Sequence, residues 1–208
     1  MEENEARSWV ESTFDVPRET IDRLDAFVAL LRVESEHQNL VSRNSLGQLW
    51  SRHVADSAQL LAWAPNGSAK WLDLGTGAGF PGMVVAALHD GPVTLIERRK
   101  LRAAFLRRAA GILGIEAKTE IIAVSAERAE PHAFGVISAR AFAPLPRLFE
   151  LGARFSTSKT RWILPKGRNA RSELEAAECS WQGDFRVERS VTDPDAWIIL
   201  AEAVKRKN

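Results

Sequence analysis

A run of glycines between Asp73 and Gly82 is the part of this chain best suited to chemistry. Gly75, Gly77 and Gly79 alternate with other residues in the stretch Asp-Leu-Gly-Thr-Gly-Ala-Gly-Phe-Pro-Gly. Glycines spaced in this way after a strand let the backbone turn sharply and let a ligand approach the main chain closely. The carboxylate of Asp73 would repel a phosphate, so the turn suits a ligand with a cationic or hydroxyl-rich face.

Glu97 supplies a second carboxylate, at the end of the next predicted strand. It lies 22 positions after Gly75, where an acidic side chain can accept hydrogen bonds from both hydroxyls of an adenosine ribose. A dinucleotide fingerprint has its third glycine at the position that Phe80 occupies in this chain. The spacing therefore favours S-adenosylmethionine, a sulfonium without phosphate, over NAD or a turn that holds no ligand.

The elements that must position these residues form an α/β pattern. From residue 70 onward, short apolar runs alternate with helical periods, which predicts parallel strands covered by helices on both faces. Segments 185–191 and 196–204 are separated only by Asp193-Pro194-Asp195, so they should pair as an antiparallel hairpin. We predict a doubly wound, mostly parallel seven-stranded sheet with this C-terminal hairpin. Its other strands are predicted at 71–74, 93–96, 119–122, 134–137 and 161–164.

The first third of the chain is predicted to be a helical cap. Apolar residues follow Pro17 at three- and four-residue spacing, and a second helix is predicted near 46–63. We divide the chain into a cap, residues 1–68, and a cofactor-binding core, residues 69–208, within one compact unit. In the core, a helix at about 99–113 is expected to turn Leu101, Phe105 and Ile112 inward.

Composition limits the classes of protein that this chain can represent. Its 208 residues are 45% hydrophobic and 26% charged, which excludes a disordered chain or a coiled coil. Cys179 is the only cysteine and cannot form an internal disulfide. The acidic N-terminus lacks a signal-like apolar region, and no apolar run has membrane-spanning length, so we expect a cytoplasmic monomer. Residues 71–208 carry a basic excess, which is weak support for a polyanionic partner.

Several segments, in order along the chain, carry a pattern more specific than the glycine turn. They are Asn39-Leu40-Val41-Ser42, Arg52-His53-Val54-Ala55-Asp56-Ser57, the Asp73–Gly82 turn, Ser138-Ala139-Arg140-Ala141-Phe142-Ala143-Pro144-Leu145 and Pro165-Lys166-Gly167. In these segments the chain resembles the bacterial small-subunit ribosomal RNA guanine-N7 methyltransferase family, also called glucose-inhibited division protein B. The quoted segments cover most of residues 25–170.

This resemblance implies a class I, Rossmann-like methyltransferase fold. It also implies methyl transfer from S-adenosyl-L-methionine to N7 of a guanine in the 530-loop region of 16S rRNA, as free RNA, precursor or small ribosomal subunit. By position match, the family's cofactor contacts fall on Gly75, Phe80, Ala126, Glu127 and Arg140. Glu97 stands where many members have Asp, a change that keeps the ribose-binding carboxylate.

Guanine N7 carries a free lone pair, so its methylation removes no proton and requires no general base. The chain has no Asp/Asn-Pro-Pro-Tyr/Phe motif of the kind that grips an exocyclic amino group. We therefore name no catalytic acid or base. His53 and Asp56 can interact on one helix face, but two side chains are too few for a metal site, and none is predicted. We expect His53 to dock the cap against the glycine turn.

Basic residues near the same sheet edge are candidates for contact with RNA phosphates. Lys166 and Arg168 follow the fifth predicted strand, and Arg98, Arg99 and Arg102 belong to the densest basic segment. A solvated surface would give the same pattern. Two other functions stay open at this point: a small-molecule methyltransferase with the same cofactor fold, and a noncatalytic module that binds RNA or the ribosome.

Overall fold

The computed structural model describes residues 1–207, and its strands join into one seven-stranded sheet. The strands are β1 Trp71–Leu74, β2 Val93–Ile96, β3 Thr119–Ile122, β4 Val136–Ser138, β5 Arg161–Lys166, β6 Trp181–Arg189 and β7 Trp197–Arg206. Their order is β3-β2-β1-β4-β5-β7-β6. Strands β1 to β5 run parallel, and β7 is antiparallel to both β5 and β6. The predicted mostly parallel sheet with a C-terminal hairpin is confirmed.

Seven α-helices surround this sheet within the described residues. They are α1 Glu3–Thr13, α2 Arg18–Glu34, α3 Asp56–Ala58, α4 Gly82–Leu88, α5 Lys100–Leu113, α6 Leu145–Gly152 and α7 Ala170–Glu178. Short 3-10 turns lie at Arg43–Ser45, Gln59–Trp63, Glu116–Lys118 and Ala153–Phe155. None of the helices in residues 1–207 is long and apolar enough to cross a membrane.

Several predicted elements have different bounds in the structure. The hairpin strands are Trp181–Arg189 and Trp197–Arg206 rather than 185–191 and 196–204, and the fifth strand extends to Lys166. The segment near 46–63 is not one regular helix, because a π-helix at Trp50–Ala55 leads through α3 into a 3-10 turn that ends at Trp63. The fourth strand begins at Val136 rather than Phe134. The backbone N–H of Phe134 donates to Phe155 instead, outside the parallel ladder.

Helix α5 turns a different stripe inward than we predicted. Phe105 is fully buried, as expected, but Leu101 is 74% exposed and Ile112 is 36% exposed. The buried stripe is centred on Leu106 and Leu113. Phe105 lies at one edge of this stripe. Leu101 and Ile112 lie beyond that edge and therefore fall outside the core.

The cap and the sheet share one apolar core. Phe27 of α2 lies 5.6 Å, centroid to centroid, from Phe80 in the glycine turn and 6.4 Å from Phe105 of α5. All three rings are buried and belong to one cluster with residues of the sheet. The cap is thereby fixed directly above the turn that follows β1.

Candidate active site

The glycine turn reverses the chain at the carboxyl end of β1. Gly75 has φ +68° and Gly77 has φ +59°, conformations that residues with a side chain rarely adopt. The backbone N–H of Gly75 donates to the carbonyl of Ile96 (2.9 Å), which ties the turn to the end of β2. The turn therefore lies at the edge of the sheet where ligands of open α/β folds bind.

The carboxylate of Glu97 is held rigidly beside this turn. Its Oε2 accepts a hydrogen bond from the N–H of Gly77 (3.0 Å), and its Oε1 accepts one from the N–H of Arg99 (2.8 Å). Glu97 is buried, and α5 begins three residues later, so the helix N-terminus also favours the negative charge. Each oxygen keeps a lone pair that can accept from a ligand hydroxyl.

Glu97 and Gly75 line a cavity of about 370 Å³, which we call the inner cavity. Its other lining residues are Ile96, Arg98, Arg99, Arg102, Val124, Ser125, Ala126, Glu127, Ala141, Phe142, Ala143, Arg147 and Leu151. The face of Gly77 is open, since a Cβ placed there would meet only Arg102 Nη1 at 3.5 Å and a backbone oxygen. A cavity of this size with a fixed carboxylate fits an adenosine-containing cofactor.

Phe142 forms the wall of the inner cavity next to Gly75. A Cβ on Gly75 would overlap the Phe142 ring, so the ring lies directly against the glycine backbone. The preceding residue, Ala141, has φ +51°, a strained value for a residue with a side chain. Phe142 also lines a second, larger cavity, so it separates the two.

This second cavity, which we call the outer cleft, has a volume of about 850 Å³. The cap, the ends of β4 and β5 and the C-terminal hairpin all contribute to its walls. The lining residues are Met1, Gln48, Ser51, Arg52, His53, Asp56, Arg140, Ala141, Phe142, Ala143, Pro144, Pro165, Lys166, Gly167, Glu173, Thr192, Asp193, Pro194, Ala196 and Trp197.

Arg140 connects the cap to the sheet inside the outer cleft. Its guanidinium pairs with Asp56 (3.1 Å), donates to the carbonyl of Arg52 (3.1 Å) and lies 5.3 Å from the centroid of the Phe80 ring. Arg140 also donates to Nδ1 of His53 (2.8 Å). Within residues 1–207, the hydrogen bonds, the ion pair and the ring contact of Arg140 are therefore all with the cap and the glycine turn.

His53 is neutral and has a fixed tautomer. An arginine can only donate, so Nδ1 of His53 accepts and the ring proton is on Nε2. Burial, together with the charges of Arg140 and Arg52, lowers the pKa of His53 to about 3. The ring stacks on Phe80 with a centroid distance of 4.9 Å. This confirms that His53 docks the cap against the glycine turn, and it leaves no free basic nitrogen.

Asp73 plays a different role from the one we predicted. Its carboxylate has no exposed surface, so it faces no ligand. It accepts hydrogen bonds from the Ser138 hydroxyl (2.7 Å) and the N–H of Gly82 (3.0 Å), and burial raises its pKa to about 6. Ser138 in turn accepts from Nε1 of Trp71 (2.8 Å). Asp73 therefore closes the glycine turn internally.

The hairpin is tied to the cap through buried Gln59. Its side-chain oxygen accepts from the N–H of Val191 (2.9 Å), and its amide donates to Asp56 Oδ1 (2.8 Å). Thr192 donates to the same Asp56 oxygen (3.0 Å). A continuous network thus runs from the hairpin through Asp56 to Arg140.

The predicted site residues are distributed over both cavities. Four of the predicted cofactor residues line the inner cavity, namely Gly75, Glu97, Ala126 and Glu127. Gly77 holds Glu97 in place through its backbone N–H. Gly79 faces Met83 and Leu106, Phe80 is buried beneath His53, and Arg140 lines the outer cleft. Arg98, Arg99 and Arg102 line the inner cavity, Lys166 lines the outer cleft, and Arg168 is exposed. Their roles in binding stay predictions.

Three of these residues have partners in the folded structure that could not be inferred from the sequence. Lys166 pairs with Glu173 (2.7 Å) and donates to the carbonyl of Ala143 (3.3 Å), so it braces the segment that contains Phe142. Arg102 donates to the carbonyl of Asn39 (2.7 Å). Glu127 pairs with Arg147 (3.2 Å).

The sequence analysis missed the separating role of Phe142 and the connecting role of Gln59. Phe142 lay within a quoted segment, and its position directly after the fourth strand could have singled it out. Gln59 has no sequence signal, because its partners Val191 and Thr192 are more than 130 residues away.

A parallel sheet with an antiparallel C-terminal hairpin and a glycine turn beside a strand-end carboxylate defines a class I methyltransferase fold. Solved structures with this fold superpose on the chain. A SAM-dependent methyltransferase from Aquifex aeolicus has a TM-score of 0.60 at 15% identity, covering 81% of this chain and 97% of that one. The ribosomal protein L11 methylase from Lactobacillus delbrueckii has a TM-score of 0.59 at 20% identity, covering 76% and 79%.

The family model for rRNA small subunit methyltransferase G (GidB) matches residues 20–195, and the chain belongs to this family. Ribosomal RNA small subunit methyltransferase G from Zymomonas mobilis is 46% identical over 215 residues, covering all of this chain and 96% of the relative. The protein of the same name from Rhizorhabdus wittichii is 49% identical over 207 residues, covering 99% and 94%.

Proposed function

We propose that this protein transfers a methyl group from S-adenosyl-L-methionine to N7 of a guanine in the 530-loop region of 16S rRNA. The acceptor is the RNA in the small ribosomal subunit or its precursor, and the enzyme acts in the cytoplasm as a monomer. The observation that carries the proposal is the Glu97 carboxylate, fixed by two backbone N–H groups in a cavity that shares the Phe142 wall with an open cleft.

The inner cavity would hold the cofactor. Glu97 would accept hydrogen bonds from the ribose hydroxyls, and the backbone around Ala126 and Glu127 would lie beside the adenine. When bound, S-adenosyl-L-methionine supplies an electrophilic methyl group. The protein's contribution is to hold that methyl group and the guanine in line and to exclude water between them.

The outer cleft would hold the target guanine, and its charges suit this reaction. Methylation at N7 leaves the base positively charged, so free cations next to N7 would oppose the transfer. Arg140, next to Ala141 in the chain, and Lys166, which donates to Ala143, are each paired with a carboxylate. Arg52, the other arginine of the cleft, belongs to the cap. Neutral His53 adds no charge.

The imidazole and carboxylates that contact Arg140 and Lys166 in the outer cleft are not free to act as a general base, and the remaining carboxylate, Asp193, lies exposed at the hairpin tip. Nδ1 of His53 is occupied by Arg140, and the carboxylates of Asp56 and Glu173 accept from cations. This arrangement would hinder methylation of an exocyclic amino group, which must lose a proton. It suits attack by a lone pair that carries no proton.

A genetic complementation experiment tests the proposal. Small-subunit RNA from a strain lacking this gene should lose one N7-methylguanine, and the wild-type gene should restore it. A Gly75→Asp gene should fail, because a side chain at Gly75 overlaps Phe142 and strains the turn. An unchanged amount of N7-methylguanine in the deletion strain would contradict the proposed reaction.

A further inference from the structure

The side chains of two arginines contact the ring of one tryptophan at the edge of the outer cleft. The guanidinium carbons of Arg171 and Arg189 each lie 4.9 Å from the centroid of the Trp197 ring. Trp197 opens β7 and lines the outer cleft, and it lies opposite Arg189 in the antiparallel ladder. Arg171 comes from the first turn of α7. We call these three residues the Trp197 cluster.

The positive charges of the Trp197 cluster are not neutralised by other side chains. Within residues 1–207, neither Arg171 nor Arg189 has a carboxylate oxygen within 4.0 Å, and both residues are exposed. Two cations inside the outer cleft differ, since Arg140 pairs with Asp56 and Lys166 pairs with Glu173. Arg52 of the cap also lines the cleft and has no such partner within residues 1–207, but it does not contact the Trp197 ring. The Trp197 cluster thus leaves two charges available to an anion from outside the protein.

The distances of the two guanidinium groups from the ring limit how far apart their charges can be. Because both guanidinium carbons are 4.9 Å from the same centroid, they lie within about 10 Å of each other. Each guanidinium can donate several parallel N–H bonds, a geometry that matches phosphate oxygens.

We propose that the Trp197 cluster binds the phosphate backbone of the RNA next to the target guanine. This inference rests on the proposed function, because it assigns a docking surface for the same substrate. The hairpin tip also carries Asp193, which lines the outer cleft. This edge of the outer cleft therefore carries charges of both signs, and the attraction for RNA phosphates is confined to the Trp197 cluster.

Steady-state methylation of small-subunit particles from a strain lacking the gene tests this assignment. With Arg171→Ala/Arg189→Ala, the KM for the particles should rise about tenfold at low salt, and the slope of log affinity against log salt should fall by about 1 to 2. The cofactor Kd, measured by calorimetry, and kcat at saturating particles should stay within about twofold.

Two further variants separate phosphate binding from a structural role. Arg171→Lys/Arg189→Lys keeps both charges and loses the guanidinium geometry, so the salt slope should stay at its wild-type value while the particle KM rises less than in the double alanine variant. Arg186→Ala is the matched control, because Arg186 is an exposed arginine of the same strand whose side chain points to the opposite sheet face. It should leave the KM and the salt slope unchanged.

The outcomes are distinguishable. A double alanine variant with wild-type KM and salt slope would overturn the assignment, and so would an equal loss in Arg186→Ala. A salt slope that falls as far in the lysine variant as in the alanine variant would show that the two charges are not what binds the RNA, and would also overturn the assignment. Failure of the wild-type protein to label the particles would contradict the proposed function instead. Direct binding of a labelled 530-loop RNA fragment would then test the Trp197 cluster alone.

Discussion

The inner cavity and the outer cleft lie on either side of Phe142 and are built in different ways. In the inner cavity, Glu97 is held by the backbone of Gly77 and Arg99, so its position depends on two short segments. The outer cleft is held by side chains from distant parts of the chain, such as Arg140 with Asp56 and Gln59 with Val191. The first site is rigid by local geometry, and the second exists only when cap, sheet and hairpin are assembled.

This difference predicts that changes in the two cavities affect different quantities. Substitutions of Gly75 and Glu97 in the inner cavity should alter cofactor affinity and leave the KM for RNA almost unchanged. Substitutions in the outer cleft should alter the KM for RNA and leave cofactor affinity almost unchanged. The following variants test this separation, from the largest expected effect to the smallest.

Gly75→Ala should reduce cofactor affinity at least 100-fold. The new Cβ would overlap Phe142, and the backbone would stay at φ +68°, which is unfavourable for alanine. Gly47→Ala is the control, since nothing lies within 4 Å of a Cβ at this exposed position. Calorimetric titration with S-adenosyl-L-methionine measures the effect. A Gly75→Ala affinity within twofold of wild type would show that the turn tolerates a side chain.

Glu97→Gln should weaken cofactor binding about 10- to 100-fold. The glutamine amide nitrogen would face the N–H of either Gly77 or Arg99, so one backbone donor loses its acceptor. Glu120→Gln makes the same chemical change on an exposed residue of the neighbouring strand and should have no effect. If Glu97→Gln instead raises only the KM for RNA, the assignment of this carboxylate to the cofactor is wrong.

Arg140→Gln should raise the KM for small-subunit particles about tenfold and change the cofactor Kd less than threefold. The substitution removes the ion pair with Asp56 and loosens the connection between cap and sheet. The family resemblance predicts Arg140 as a cofactor contact, so this variant separates the two interpretations. A large increase in cofactor Kd with an unchanged particle KM would favour the cofactor contact.

His53 should make the protein less stable as the pH falls below 6.5. Its folded-state pKa of about 3 lies below its ordinary value, so the unfolded chain binds a proton that the folded chain excludes. This contribution is complete above pH 6.5 and is lost as the pH falls toward 3, by at most about 1.4 kcal/mol per pH unit. The free energy of urea unfolding measures it.

His53→Gln keeps an acceptor for Arg140 and does not titrate, so the dependence of stability on pH should be shallower in this variant. The exposed residue His37 supplies the control, and His37→Gln should follow the wild-type curve. Identical curves for His53→Gln and wild type between pH 6.5 and 4 would mean that His53 titrates normally in the folded protein.

The elements that sequence predicted well are those whose pattern is local. Strand β2 and the β6–β7 hairpin follow from apolar runs and a turn signal, and Glu97 follows from its distance to the glycine turn. The predicted inward face of α5 was wrong for Leu101 and Ile112, because only Phe105 of the three predicted residues lies within the buried stripe, at its edge. The division of the chain near residue 68 stays a prediction, since Phe27 and Phe80 belong to one shared core.

The outer cleft could not be predicted to the same extent, because its contacts join residues that are far apart in the chain. Arg140 and Lys166 were recognised as cations near the sheet edge, but their pairing with Asp56 and Glu173 depends on the folded arrangement. The same limit applies to Asp73. Its sequence position suggested a ligand contact, and only the position of Ser138 on β4 shows that the carboxylate is satisfied internally.

The most direct test of this account is to map the site of methyl transfer. The purified protein would be incubated with radiolabelled S-adenosyl-L-methionine and small-subunit particles from a strain lacking the gene, and the labelled nucleotide would be identified. The account predicts label on one guanine of 16S rRNA, at N7, and none with Gly75→Asp. No label on the particles, in the presence of calorimetrically verified cofactor binding, would contradict the proposed acceptor.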